Sequence, residues 1–166
     1  MTVPGRWIVI SAWVTLGLFA VTIVPDAAGL SAFDDAAVAV SLALFLVGMI
    51  VWMYAFGVAV VRSARGDDIR LGALFFLQGS APREVRRPLY IVLAVSIVLA
   101  FATVYANAFA VLEPVFPLAL MSLWAARYGT FPARLDTAPA SARTRQQSGQ
   151  ARPQSGTTRP QPGGAR

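Results

Sequence analysis

Four stretches of this chain are long, apolar and almost free of charge, and they dictate the solvent in which it folds. A helix needs roughly 20 apolar residues to cross a hydrocarbon core of about 30 Å. Residues 7–24 and 36–61 carry no charge at all, and residues 88–106 form a third uncharged stretch. The fourth, 109–126, is interrupted by Glu113, Pro114 and Pro117. The pattern predicts an all-α membrane protein: an antiparallel bundle of four transmembrane helices, with residues 62–87 as the loop between the second and third. Residues 1–134 make up this domain. The first stretch, with Arg6 before it and Ala27-Ala28-Gly29 after it, also has the outline of a cleavable signal peptide. Its apolar run is longer than the roughly 7–15 residues usual for such a peptide, which favours a retained span.

Charge separates cleanly along the chain and supplies an orientation. Arg62, Arg65, Arg70, Arg83, Arg86 and Arg87 lie in the loop 62–87, and Arg127 with six further arginines follows the fourth stretch. The connection between the first two stretches has no arginine, only Asp26, Asp34 and Asp35. Because cytoplasmic loops are enriched in basic residues, this alternation predicts that the N-terminus, the loop 62–87 and the C-terminus are cytoplasmic. Trp7, Tyr90, Trp124 and Tyr128 fall near the same predicted face, where aromatic rings favour the interface. The pI near 11 is therefore a topology signal more than a mark of nucleic-acid binding. All the basic residues are arginine, which suits the codon bias of a GC-rich genome.

Composition then removes whole classes of chemistry. The chain has no histidine and no cysteine. That rules out metal or haem sites built on those ligands, and nucleophilic catalysis by a Ser-His or Cys-His pair. No cofactor is implied. Acids on the cytoplasmic side are few (Asp67, Asp68, Glu84 and Asp136), and Asp67-Asp68 reads as a helix cap, so an enzyme acting on lipid substrates has little support.

Membrane helices associate through small residues and interhelical hydrogen bonds. The first stretch offers Ser11, Thr15 and Thr22 on one face, and the second Ala37, Ser41, Gly48, Ala55 and Ala59. The third offers Ser96, Ala100, Thr103 and Asn107; the fourth Ala119, Ser122 and Ala126. These seams are expected to pack against one another. Glu113 is the one acid inside a span, and an intramembrane acid is a functional candidate by default. It also precedes Pro114, a residue suited to a first helical turn, so the expected reading places it at the start of a helix at the outer interface. Glu113 and Asn107 are the candidate intramembrane polar residues.

The loop 62–87 is the most distinctive segment. Asp67 or Asp68 is positioned to cap a short helix over 69–78, Gly79 to stop it, and Ser80 to cap a second short helix running up to Pro88. Arg62 and Arg65 are expected at the level of lipid phosphates. Phe75 and Phe76 are the candidate anchors for a partner, with Arg83, Arg86 and Arg87 as a basic rim. Gly79-Ser80-Ala81-Pro82 lacks the glycines and lysine of a phosphate-binding loop.

The runs LFFLQGSAPREVRRPL (74–89) and LMSLWAARYGTFPAR (120–134) resemble a family of small uncharacterised four-pass membrane proteins from high-GC Gram-positive bacteria. The resemblance extends over roughly residues 40–134. It implies the topology and a bacterial plasma-membrane location, and carries no functional residues. Residues 135–166 lose the aromatic and large aliphatic residues and become rich in Arg, Pro, Gly, Ser and Gln, so a disordered cytoplasmic tail is expected there.

The expected function is that of a non-enzymatic accessory or assembly subunit of a membrane complex, docking through the loop 62–87. The alternative is a small oligomeric transporter or channel. Expected partners are anionic lipid at the inner face and another membrane protein or a second copy, with no specific nucleic acid.

Overall fold

A computed structural model describes residues 4–133; the expected tail from 135 onward lies outside the described residues. Every regular element among them is helical: α1 (Arg6–Ala27), α2 (Asp34–Ala64), a short α3 (Leu71–Phe75), α4 (Arg83–Thr103) and α5 (Val115–Tyr128). Two 3-10 turns, Ser31–Phe33 and Ala108–Leu112, lead into α2 and α5. Four helical segments are long and apolar enough to cross a membrane: α1, α2 with its leading turn, α4, and the Ala108–Tyr128 stretch that contains α5.

Among the long helices α1 touches α2 and α4, while α5 touches α2, α4 and, to a smaller extent, α1. The α2–α5 pair is the most extensive contact. Gly48 makes that approach possible, because a Cβ there would sit 3.1 Å from Phe116 Cα. α5 is buried without a break from Ala119 to Ala126, as expected of a helix enclosed by neighbours on all sides. The outer surfaces tell the opposite story. Ile10, Val14, Leu18 and Val21 on α1, Ile50 and Met53 on α2, and Val98 and Phe101 on α4 are exposed. An exterior as apolar as the interior belongs in lipid, since water-soluble monomers rarely expose contiguous apolar patches of such extent.

The interior seam follows the sequence closely on α2 and less so on α1. Ala37, Ser41, Gly48, Ala55 and Ala59 are all buried, joined by Leu44. On α4, Ser96, Ala100 and Thr103 are buried together with Val85, Leu89 and Val92. On α1 the buried line is Ile8, Ala12, Leu16, Phe19 and Ile23, with Thr22; Ser11 and Thr15 are only half-buried beside it. Thr15 has no need of another helix, since its hydroxyl donates to the carbonyls of Ser11 and Ala12 in its own helix.

Several helix boundaries differ from the sequence expectation. α1 does not stop at Pro25 but runs to Ala27. Gly29, at φ +84°, ends it: the N–H groups of Leu30 and Gly29 donate back to the carbonyls of Pro25 and Asp26. This paired closure is the usual use of glycine just past a helix. α4 begins at Arg83 and passes through Pro88 without interruption, so no separate short helix precedes it. The hydrogen bond that proline removes would have ended on the carbonyl of Glu84, an exposed residue of the first turn that water reaches. At the other end α4 closes at Thr103, short of residue 106. The fourth span is broken rather than continuous, with the α-helix starting only after Pro114.

The bundle has two distinct ends. Trp124 Nε1 donates to Pro4 O at 3.1 Å, the N–H of Asp68 to Pro132 O and that of Thr130 to Ser80 O. These bonds gather the start of α1, the end of α2, the loop around α3 and the end of α5 at one end. At the opposite end, Tyr105 Oη donates to Ala27 O across the ends of α4 and α1.

Candidate functional site

The loop between α2 and α4 folds onto the bundle, with α3 against α5. Its expected caps do not form. Asp67 is engaged by Arg62, and α3 starts after Arg70 with no side-chain cap. Nor does the helix continue to residue 78; it covers Leu71–Phe75 only. Ser80 caps no helix either, and its hydroxyl donates to Ala73 O at 2.8 Å. Arg62 is engaged within the protein. It turns inward, with Nε on Asp67 Oδ2 at 2.8 Å and Nη1 on the carbonyls of Ala126 and Gly129, both at 3.0 Å. Its guanidinium also lies 4.8 Å from the centre of the Phe131 ring. A cation on the last carbonyls of α5 satisfies acceptors that the helix cannot, and complements the negative end of the helix dipole. Sequence reasoning missed this clamp, because the two carbonyls that Arg62 holds lie 64 and 67 residues further along the chain.

The candidate docking residues meet different fates. Phe75 is half-buried and stacks on Trp52, with ring centres 5.9 Å apart. Phe76 is 45% exposed. Leu77 is fully buried and sits at φ +49°, a left-handed conformation that costs a non-glycine residue roughly 1–2 kcal/mol. That turn sends two adjacent apolar side chains to opposite sides, Leu77 into the core and Phe76 outward. Tyr90 Oη donates to the Phe76 carbonyl at 2.6 Å and holds the backbone there. Arg83 and Arg87 are exposed, while Arg86 is half-buried.

Glu113 does stand at the start of a helix: it closes the 3-10 turn, and Pro114 caps α5. It is not at an exposed interface, for its side chain is wholly buried. Oε1 accepts from Ser96 Oγ at 3.2 Å, and Oε2 has no partner. Among the described residues the ion pairs are Arg62–Asp67 and Arg70–Asp68, so this carboxyl group has no cation beside it. Asn107 is placed elsewhere. Its Oδ1 accepts the N–H of Phe109 at 2.9 Å and caps the 3-10 turn, whereas Nδ2 is buried without a partner. The two candidate polar residues therefore serve separate sites.

No family model matches the chain, and no curated protein or solved structure matches it.

Proposed function

We propose that this chain is a non-enzymatic accessory or assembly subunit of a bacterial plasma-membrane complex, with both termini cytoplasmic. In this reading the chain docks its partner through the loop between α2 and α4, and it belongs with the small membrane proteins of high-GC Gram-positive bacteria that it resembles. One observation carries the docking role. The loop packs against α5, yet its left-handed turn at Leu77 leaves Phe76 outside the core, and Arg83 and Arg87 at the start of α4 are exposed as well. A strained residue that presents an aromatic side chain is the arrangement expected of a preformed contact point. The cytoplasmic assignment is supported by the described arginines of the loop between α2 and α4 and by Arg127 at the end of α5.

A photo-crosslinking amino acid in place of Phe76 tests the docking role in native membranes. The expected result is one discrete protein adduct, weakened when Arg83 and Arg87 are both changed to Glu. The same group in place of Val98, on the lipid-facing side of α4, is expected to give lipid adducts. Equal lipid adducts from both positions, and no protein adduct from position 76, would overturn the docking role.

A second reading, a small oligomeric transporter or channel, is favoured by Glu113 alone. A carboxyl group in the bundle with one hydroxyl partner and no cation is the kind of intramembrane acid that handles ions. Proton or cation flux into proteoliposomes, abolished by Glu113→Gln, is its test.

A further inference from the structure

Towards the arginine-rich end, the outer face of α2 carries an open groove of about 430 Å³. It is lined by Tyr54, Gly57, Val58, Val61, Arg62 and Arg65, all on α2 and recurring at the three- and four-residue steps of one helix face. Gly57 opens its floor, since a Cβ built there meets nothing within 4 Å. Tyr54 stands exposed at one end, Val61 is exposed along the length, and the two arginines mark the other end.

The two cations are not equivalent. Arg62 is turned to Asp67 and to the carbonyls of Ala126 and Gly129. Arg65 is exposed, and the ion pairs among the described residues are Arg62–Asp67 and Arg70–Asp68, so no acid offsets its charge. The groove is therefore apolar along its length, with one uncompensated cation at its end. Its length is informative too. Tyr54 and Arg65 are eleven residues apart, about 17 Å along a helix axis. One leaflet, half of a hydrocarbon core of about 30 Å, is about 15 Å deep. With Arg65 among the headgroups, Tyr54 reaches close to the middle of the bilayer.

These features select one occupant. A second copy packed symmetrically through this face would set Arg65 against Arg65, a like-charge contact that opposes association. A zwitterionic phospholipid suits the apolar floor but brings its own cation towards the arginine. An anionic phospholipid satisfies both parts: its phosphate oxygens accept from the guanidinium fork, and its hydrocarbon covers Gly57, Val58 and Val61. We propose that this face of α2 binds a single anionic phospholipid, with the phosphate on Arg65 and one acyl chain running past Gly57 towards Tyr54. The inference stands on α2 alone and makes no use of the docking role of the loop.

Native mass spectrometry of the full chain gives the test, with the protein released from micelles that hold phosphatidylglycerol and phosphatidylcholine in equal amounts. One bound phosphatidylglycerol per chain is expected, retained about tenfold over phosphatidylcholine, the effect of one hydrogen-bonded charge pair. Arg65→Gln is expected to bring the ratio close to one. Gly57→Leu keeps Arg65 but fills the open floor, and is expected to lower phosphatidylglycerol retention severalfold. Arg70→Gln, an exposed arginine outside the groove, is expected to leave the ratio unchanged. Equal retention of the two lipids overturns the proposal, and so does a preference that survives Arg65→Gln. An equal loss in Arg70→Gln overturns it as well, because the preference would then be a general attraction of the basic end to anionic lipid. A dimer without bound lipid, abolished by Gly57→Leu, would assign the groove to a second copy instead.

Discussion

The two ends of the bundle handle their polar groups in opposite ways. At the arginine-rich end, polar side chains that leave water find partners: Arg62 has three acceptors, Trp124 has the Pro4 carbonyl, and Ser80 and Tyr90 tie the loop to itself and to α4. In the other half lie Asp26, Asn107 and Glu113. These residues supply every buried side-chain nitrogen or oxygen without a partner among the described residues. Since a buried unpaired polar atom costs on the order of 1–3 kcal/mol, one end holds the helices together and the other carries a cost. Small, lipid-like packing joins the two, with Gly48 against Phe116 at the closest approach.

The largest effect expected from breaking this comparison is at Arg62. Arg62→Ala removes an ion pair and uncovers two carbonyls at the end of α5, one of them on buried Gly129. With the side chain 26% exposed, a loss of about 2–3 kcal/mol is expected. Titration with SDS, followed by tryptophan fluorescence, measures it. Arg70→Ala is the control. Its side chain is 81% exposed and its 3.5 Å pair with Asp68 is a surface contact, so less than about 0.5 kcal/mol is expected. Equal losses from the two would remove the special status of the Arg62 end.

At the opposite end the sign reverses. Glu113→Gln keeps the shape and an oxygen to accept from Ser96, and it removes an acid that has no cation beside it. A gain of about 1 kcal/mol is expected in the same titration, because an unpaired buried ionisable group is a net cost. A loss would mean that the carboxyl group has a structural partner, and Glu113 would then belong with Arg62 among the groups that hold the bundle.

How far the sequence reveals such differences depends on contrast. The spans were legible, because some 20 uncharged residues in a row leave one solvent. The α2 seam was legible too, since a line of Ala, Ser and Gly stands out from Leu, Val and Ile. On α1 the contrast failed: Ile8, Leu16 and Phe19 face inward, and the same kinds of residue face lipid. Ser11 and Thr15 looked like a seam only because their hydroxyls suggested partners in another helix, whereas that of Thr15 stays within α1. Pro88 misled as a stop, because in the first turns of a helix a proline forfeits one bond at a carbonyl that water reaches. Phe75 and Phe76 stand out in the sequence as a pair, but only the fold separates them, with Phe75 stacked on Trp52 and Phe76 left outside the core. The clamp of Arg62 on the end of α5 joins residues from distant parts of the chain, and no local pattern marks it.

The smallest effect is the finest probe of the comparison, because it uses the same chemical change at both ends. Tyr90→Phe and Tyr105→Phe each delete one hydroxyl that donates to a backbone carbonyl. At the loop end the bond is 2.6 Å and Tyr90 is half-buried. At the other end the bond is 3.2 Å and Tyr105 is exposed. Both bonds are exposed, and the shorter one, from the less exposed tyrosine, keeps more of its strength. The expected losses are about 1 kcal/mol for Tyr90→Phe and less than about 0.5 kcal/mol for Tyr105→Phe. Tyr90→Phe has a second expected consequence, since its hydroxyl holds the backbone beside Phe76: crosslinking from position 76 should weaken even though no contact residue has changed. Crosslinking that stays at full strength in Tyr90→Phe would mean that the left-handed turn at Leu77 presents Phe76 without help from α4.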